Sequence, residues 1–205
     1  MTVHVKICGV TSAEEALACA ELGASAIGVN FVDASPRRID AATARAIARA
    51  VGSRALIVGV VADLGVDAMR ALREDAELGC LQLHGDESPA SLAALLPHAY
   101  KALRVATAED VARAQMFAGD HVLADAKSEG ALGGTGKTFD WRLVAELATS
   151  RKLTLAGGLT PDNVAEAVRL VRPYCVDVSS GVEASTPGKK DLARVRAFIA
   201  AARAA

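Results

Sequence analysis

The sequence predicts an α/β fold, a (β/α)8 barrel in which eight parallel strands close into one sheet. Two observations predict it. Short β-branched apolar runs alternate with Ala-, Leu- and charge-rich runs of helical period, and this unit of roughly 25 residues recurs to the end of the chain. The segments Leu155–Leu159 and Asp177–Glu183 each follow a β-like run and lie one strand–helix unit apart, as the last two loops of a barrel do. An open, doubly wound sheet is the structural alternative.

Each β-like run gives one predicted strand, and a helical pattern follows each run. The predicted strands are Val3 to Cys8, Ala26 to Phe31, Ala55 to Val61, Cys80 to His84, Ala99 to Arg104, His121 to Asp125, Leu153 to Ala156 and Cys175 to Ser179. Two helix starts carry capping signals. Ser12 and Glu15 fit a capping box, and Thr160 precedes a proline that would occupy the first helical position.

Side chains alternate across a strand, so the period-two rule predicts which of them enter the barrel. In the first strand Val3, Val5 and Ile7 share the face that should meet the helices. The opposite, polar faces should converge on the barrel axis. They carry His4, Lys6 and Cys8 in strand one, Gln82 and His84 in strand four, Asp125 in strand six, and Asp177 and Ser179 in strand eight. Active sites of this fold lie at the carboxyl end of the strands, where Cys8 and Asp125 fall.

Composition limits the function. At 205 residues and 52% hydrophobic, with no linker-like stretch, residues 1–205 are expected to form one barrel domain. A net charge of −1 and only seven aromatic residues argue against nucleic-acid binding. The longest strongly apolar run, Ala55 to Ala62, is too short to span a membrane. The low charge and few aromatic residues fit a small-molecule ligand better. The four cysteines lie inside apolar runs without metal- or redox-site spacing, which favours reduced thiols in a cytoplasmic protein.

Cys8 and Asp125 are the strand-end groups best suited to proton transfer, because a thiolate can act as a base and a carboxyl group as an acid. Both have structural alternatives. Cys8 could be a small buried hydrophobe, and Asp125 could form an ion pair with Lys127 or Lys101. Lys6 could favour the Cys8 thiolate or pair with an interior carboxylate, and the sequence leaves both open.

Other residues point to anion binding. Bare backbone N–H groups around Gly157, Gly158, Ser180 and Gly181 could cradle a phosphate. Arg37 or Arg38, in the loop after the second strand, could bind a carboxylate through two hydrogen bonds, with solvated surface charge as the alternative.

His84 could bind or orient a ligand, or have a structural role. The glycine-rich run 133–138 is not a P-loop, because Walker A requires a glycine where Ala131 stands.

Several motifs in order resemble the phosphoribosylanthranilate isomerase family of tryptophan biosynthesis. They are Val5–Thr11, Gly28–Phe31, Ser35–Arg37, Gln82–Gly85, the Gly133 to Trp141 stretch, Ala156–Leu159, Asp177–Glu183 and Pro187–Asp191. The likeness covers nearly the whole chain. The chain departs from the family pattern in the third loop, where Val60-Val61-Ala62-Asp63 replaces an aromatic residue followed by asparagine.

The resemblance implies an Amadori rearrangement of a phosphorylated substrate, with Cys8 as general base, Asp125 as general acid and Arg37 as the clamp on the anthranilate carboxylate. It implies that the glycine loops hold the phosphate and that Asp177 contacts a sugar hydroxyl. No metal ion or cofactor is needed for such an internal redox isomerisation. We expect a monomer, and leave a homodimer open.

Three other interpretations remain open at this level. The chain could be another phosphosugar barrel enzyme, such as a ribulose-phosphate epimerase or an indoleglycerol-phosphate synthase. It could be a related histidine-pathway isomerase, although such an enzyme would carry an aspartate where Cys8 stands. It could also bind phosphosugars without catalysis.

Overall fold

The structure is a computed structural model that describes residues 2–126 and 140–205. Its eight strands form a closed barrel in sequence order, with every neighbouring pair parallel. The strands are β1 His4–Cys8, β2 Ala26–Asn30, β3 Leu56–Val61, β4 Cys80–Leu83, β5 Ala99–Val105, β6 His121–Ala126, β7 Lys152–Leu155 and β8 Cys175–Val178. The (β/α)8 prediction is therefore confirmed, and each predicted strand end lies within one residue of the observed end.

Within residues 2–126 and 140–205, eight helices surround the barrel, and several are short. They are α1 Ala13–Glu21, α2 Ala41–Val51, α3 Val66–Asp75, α4 Pro89–Ala93, α5 Ala108–Ala112, α6 Leu147–Ser150, α7 Val164–Val171 and α8 Leu192–Arg203. Short 3-10 segments lie at Gly52–Arg54, Arg113–Met116, Trp141–Val144 and Ser180–Val182. Among the helices of residues 2–126 and 140–205, none is long and apolar enough to cross a membrane.

The main core lies between the barrel and the helices, as the alternation in the first strand predicts. Val5 and Ile7 are fully buried there, beside Ala16 and Cys19 of α1. Burying an aliphatic side chain of this size contributes about 1.5–3 kcal/mol. The outward faces of the strands therefore hold the helices on the barrel, and the inward faces are left to carry polar groups.

The barrel interior is partly polar. Lys6, Gln82 and Asp177 are all less than a tenth exposed and meet inside the barrel, where strand alternation places them. The register makes this meeting possible, because β1 pairs with β8 so that Lys6 lies opposite Asp177. A small apolar cluster that includes Tyr100 and Leu123 shares the interior.

Two predicted helix starts need correction. Ser12 caps α1, accepting a hydrogen bond from the Glu15 N–H, but the Glu15 carboxylate does not complete a capping box and instead accepts from the Lys190 N–H. Helix α7 begins at Val164 behind Asn163, not directly after Thr160. Residues 160–163 instead form a turn, because the Asn163 side chain accepts a hydrogen bond from the Thr160 N–H.

The atypical third loop is tied to the fourth. Asp63 adopts a positive φ of 56°, its N–H donates to Glu87, and its carboxylate accepts from the Asp86 N–H. Glu87 also accepts from the Gly85 N–H and from the Lys101 ammonium at 2.9 Å. A buried ion pair therefore fixes the loop that follows β4.

Candidate active site

The carboxyl ends of the strands surround a cavity of about 390 Å³, a volume typical of small-molecule sites. All nine residues that the sequence singles out for the site line this one cavity. They are Cys8, Arg37, His84, Asp125, Gly157, Gly158, Asp177, Ser180 and Gly181. They come from the ends of six strands or from the loops that follow them, so closing the barrel brings them together.

The loops after β7 and β8 form one wall of this cavity, and their glycines are sterically required. Gly157 and Gly158 have positive φ angles of 88° and 66°. A Cβ on Gly157 would collide with the backbone N of Ala126, and one on Gly181 would collide with the carbonyl oxygen of Leu159. The two loops therefore touch, and they present backbone rather than side chains to the cavity.

Cys8 lies at the end of β1 beside Gly28, where a Cβ would come within 2.6 Å of the thiol sulfur. Burial raises the pKa of the Cys8 thiol above its ordinary value of 9.0, and the Asp177 carboxylate adds to that rise. The Lys6 and Lys190 ammonium groups act in the opposite direction without cancelling it. The thiol form of Cys8 therefore predominates near neutral pH.

Lys6 pairs with an interior carboxylate and also lies close to Cys8. Its ammonium donates to Asp177 Oδ2 at 2.7 Å and to Gln82 Oε1 at 2.9 Å. Burial alone would lower the pKa of Lys6, but Asp177 and Cys8 raise it well above its ordinary value. Lys6 therefore keeps its charge, and both roles considered for it from the sequence occur together.

Asp125 lies across the cavity beside His84. Its Oδ2 atom is 3.3 Å from His84 Nε2, and both side chains are less than a tenth exposed. The alternative in which Asp125 pairs with Lys101 is wrong, because that ammonium binds Glu87 and the carbonyl oxygens of Leu83 and Gly85. Lys127 and the glycine-rich run 133–138 lie outside the described residues.

Arg37 reaches the cavity over Gly9, whose missing Cβ leaves room for its side chain. Its Nε and Nη2 atoms donate to the two carboxylate oxygens of Glu183 at 2.7 and 2.8 Å. Lys190 donates to the same carboxylate at 2.9 Å. Burial alone would raise the pKa of Glu183, but these hydrogen bonds lower it to about 2. Arg38 points elsewhere and pairs with Asp33.

Glu183 and Tyr100 are the site-related residues that the sequence reasoning missed. Glu183 falls within one of the motifs that carry the family resemblance. Its neighbours in the sequence do not indicate that it forms an ion pair with Arg37, which is 146 residues away. Tyr100 donates to Gln82 Oε1 at 2.9 Å. Its position could have been found from alternation in β5, because Tyr100 and Ala102 both face the interior.

The fold and this site define a (β/α)8-barrel enzyme of the class that acts on phosphorylated small molecules. Residues 5–201 match the family model of N-(5'-phosphoribosyl)anthranilate isomerase. The chain belongs to this family and is an isomerase of tryptophan biosynthesis.

Individual relatives agree with the family model over the full length. The isomerase of Myxococcus xanthus is 46% identical over 207 residues, which cover 99% of this chain and 97% of the relative. The crystal structure of the Thermotoga maritima isomerase is 37% identical, covers 99% of this chain and 100% of its own, and superimposes with a TM-score of 0.90.

Another similar structure holds a ligand. It is a phosphoribosylanthranilate isomerase in complex with reduced 1-(o-carboxyphenylamino)-1-deoxyribulose 5-phosphate. It is 35% identical, covers 99% of this chain and 100% of its own, and superimposes with a TM-score of 0.87.

The raised pKa of Cys8 predicts its reactivity. Thiolate is the reactive form, so the rate of Cys8 alkylation by iodoacetamide should keep rising with pH beyond 9.0, the ordinary thiol pKa. Mass spectrometry of the Cys8 peptide measures this rate, and Cys8→Ser provides the blank. A rate that levels off near neutral pH would show that the pKa is lowered, contrary to this prediction.

Proposed function

We propose that Cys8 is the general base and Asp125 the general acid in converting N-(5-phosphoribosyl)anthranilate to 1-(2-carboxyphenylamino)-1-deoxyribulose 5-phosphate. One observation carries the proposal: both groups line a single cavity that also carries the two glycine loops and Arg37. The cavity thus offers a site for a phosphate, a cation for a carboxylate, and a proton donor and acceptor for the atoms between them.

The two anionic ends of the substrate hold the reacting carbons in place. The N–H groups near Gly158 and Gly181 bind the phosphate, and Arg37 binds the anthranilate carboxylate. Among the described residues, Glu183 accepts from the Nε and Nη2 atoms of the Arg37 guanidinium, and this leaves the Nη1 end for the substrate. Anchoring at both ends converts binding energy into orientation of the sugar carbons.

The reaction begins with proton transfer from Asp125 to the ribose ring oxygen. The C1–O bond then breaks, and the nitrogen lone pair forms a Schiff base with C1. Cys8, reacting from its minor thiolate form, removes the proton from C2 to give an enolamine. Tautomerisation reduces C1 and oxidises C2, so the aminoketose forms without an external oxidant or reductant.

Asp177 contributes one free oxygen to this chemistry. Its Oδ2 atom binds Lys6, whereas its buried Oδ1 atom has no hydrogen-bond partner among the described residues. A buried carboxylate oxygen that faces a cavity is costly to leave unsatisfied. We assign Oδ1 the role of accepting a hydrogen bond from a hydroxyl group of the substrate sugar.

The acid and base roles predict a large loss of turnover on substitution. Substrate is generated in situ, and its consumption is followed through the loss of anthranilate-type fluorescence. Cys8→Ser and Asp125→Asn should each lower kcat by roughly 10²- to 10⁴-fold, because each removes one proton-transfer group.

Asp67→Asn is the matched control for Asp125→Asn, since the Asp67 side chain is 99% exposed and does not line the cavity. Its kcat should equal that of the wild type. If the wild-type protein does not turn over the substrate, the substrate assignment is wrong. If both site variants keep full activity, the reaction assignment stands, but the acid and base roles of Asp125 and Cys8 are wrong.

Adjacent arginines separate the carboxylate clamp from general surface charge. Arg37→Met should raise KM by roughly 10- to 100-fold, because a charge-assisted hydrogen bond to the substrate contributes about 1.5–3 kcal/mol. Arg38→Met removes the neighbouring charge from a side chain that is 53% exposed, and it should leave KM unchanged. Equal KM changes in the two variants would show that Arg37 does not bind the carboxylate.

We also propose that the enzyme works in the cytoplasm as a monomer. Its four cysteines are unpaired, which suits a reducing compartment. The alternative is a homodimer, since one similar structure comes from a Thermotoga maritima isomerase described as dimeric. Sedimentation equilibrium of the purified protein distinguishes the two states by mass.

A further inference from the structure

The side-chain amide of Gln82 is buried in the barrel interior, where it is 1% exposed, and it bridges three polar side chains. Its Oε1 atom lies 2.9 Å from Lys6 Nζ and 2.9 Å from the Tyr100 hydroxyl. Its Nε2 atom lies 2.7 Å from His84 Nδ1. The amide therefore connects the interior ammonium to the histidine at the cavity.

Lys6 fixes which end of this amide faces which neighbour. An ammonium group has three donors and no acceptor, so the Gln82 atom that it contacts has to be the oxygen. Tyr100 reinforces this orientation, because burial raises the pKa of its hydroxyl well above the ordinary value and the hydroxyl keeps a proton to donate. A flipped amide would place its NH2 group against the Lys6 ammonium, which has no acceptor.

The orientation of the amide determines the tautomer of His84. The Gln82 NH2 group can only donate, so Nδ1 of His84 has to accept and carries no proton. A neutral imidazole protonates one ring nitrogen, and in this case it is Nε2. The described contacts thus define His84 as a neutral Nε2–H donor.

This Nε2–H group faces Asp125. Nε2 is buried and lies 3.3 Å from Asp125 Oδ2, yet it is not aligned for a hydrogen bond with any described residue. A small change in the imidazole or carboxylate orientation would form the bond. Asp125 becomes a carboxylate at the moment when it gives its proton to the substrate, and a neutral donor at this distance then stabilises the new charge.

We propose that Gln82 is a positioning residue, which holds His84 as the Nε2–H tautomer so that His84 donates a hydrogen bond to the carboxylate that Asp125 forms during proton transfer. The proposal rests on the acid role assigned to Asp125 above. Gln82 itself touches neither the substrate nor the reacting atoms. It acts through His84, and Lys6 and Tyr100 act through Gln82.

Nitrogen NMR tests the tautomer without any need for turnover. In protein labelled with 15N-histidine, His84→Asn identifies the His84 signals by their loss. The wild type should show a pyridine-type Nδ1 signal and a pyrrole-type Nε2 signal for His84 near neutral pH. A pyrrole-type Nδ1 signal in the wild type would overturn the proposal outright.

Gln82→Glu then tests whether residue 82 sets the tautomer. A carboxylate can only accept, so a proton should move onto His84 Nδ1 and convert its signal to the pyrrole type. Tyr100→Phe is the matched control, because it removes one hydrogen bond to the same amide but leaves Lys6 to orient it. In that variant the Nδ1 signal should stay pyridine-type. An unprotonated Nδ1 in Gln82→Glu would overturn the proposal.

Kinetics complete the test. In Gln82→Glu the Nδ1–H tautomer of His84 would present an unprotonated Nε2 to Asp125 and could not donate to the carboxylate that forms, so kcat should fall roughly 10- to 100-fold with a smaller change in KM. A changed tautomer with unchanged kcat would overturn the positioning role. If Gln82→Glu does not fold, Gln82→Met should replace the single tautomer with a mixture, and a retained Nε2–H tautomer would overturn the proposal. An inactive wild type with the expected tautomer would instead contradict the proposed function.

Discussion

The buried ammonium of Lys6 is the charge on which the interior of this barrel depends. It is 2% exposed and lies 2.7 Å from Asp177 Oδ2, across the β1–β8 pairing that closes the barrel. Removing one partner of such a buried pair leaves an uncompensated charge and typically costs about 3–5 kcal/mol. The Lys6–Asp177 pair therefore both supports the closed sheet and places a charged pair inside the barrel.

The two sides of the active site both connect to this ammonium. On one side Lys6 lies near the Cys8 thiol and opposes the rise in pKa that burial causes. On the other side it orients Gln82, and through that amide it sets the hydrogen bonding of His84 beside Asp125. The proposed base and the proposed acid are thus organised by one buried charge, although they lie on strands β1 and β6.

The parts of the site that we propose to anchor the substrate are built differently, from loops held by steric and ionic constraints. The loops after β7 and β8 approach each other closely only because Gly157 and Gly181 lack side chains. Arg37 is held in place by Glu183, and Lys190 keeps that carboxylate ionised. These contacts preorganise the proposed anion-binding groups around the cavity.

Much of the fold could be predicted from the sequence, because strand alternation and parallel pairing are short-range patterns with a fixed geometric outcome. The same alternation correctly placed Lys6, Gln82 and Asp177 inside the barrel, and Cys8 and Asp125 at its carboxyl end.

Contacts between distant loops could not be predicted in this way. Glu15 fits a capping box locally, but the fold offers it the Lys190 N–H, 175 residues away. Asn163, and not the predicted Thr160, is the residue that precedes α7. The Asn163 side chain instead stabilises the turn after the Gly157–Gly158 loop through hydrogen bonds to Thr160 and Gly158. The pairing of Arg37 with Glu183 likewise depends on how the second and eighth loops meet over Gly9.

A crystal structure of this chain with reduced 1-(o-carboxyphenylamino)-1-deoxyribulose 5-phosphate, the ligand held by a similar isomerase, tests the central claim most directly. We predict the phosphate at the Gly158 and Gly181 loops, the carboxylate at Arg37, and the sugar carbons between the Cys8 sulfur and the Asp125 carboxylate. A ligand bound with its phosphate at Arg37, or with Cys8 and Asp125 on the same side of the sugar, would contradict the claim.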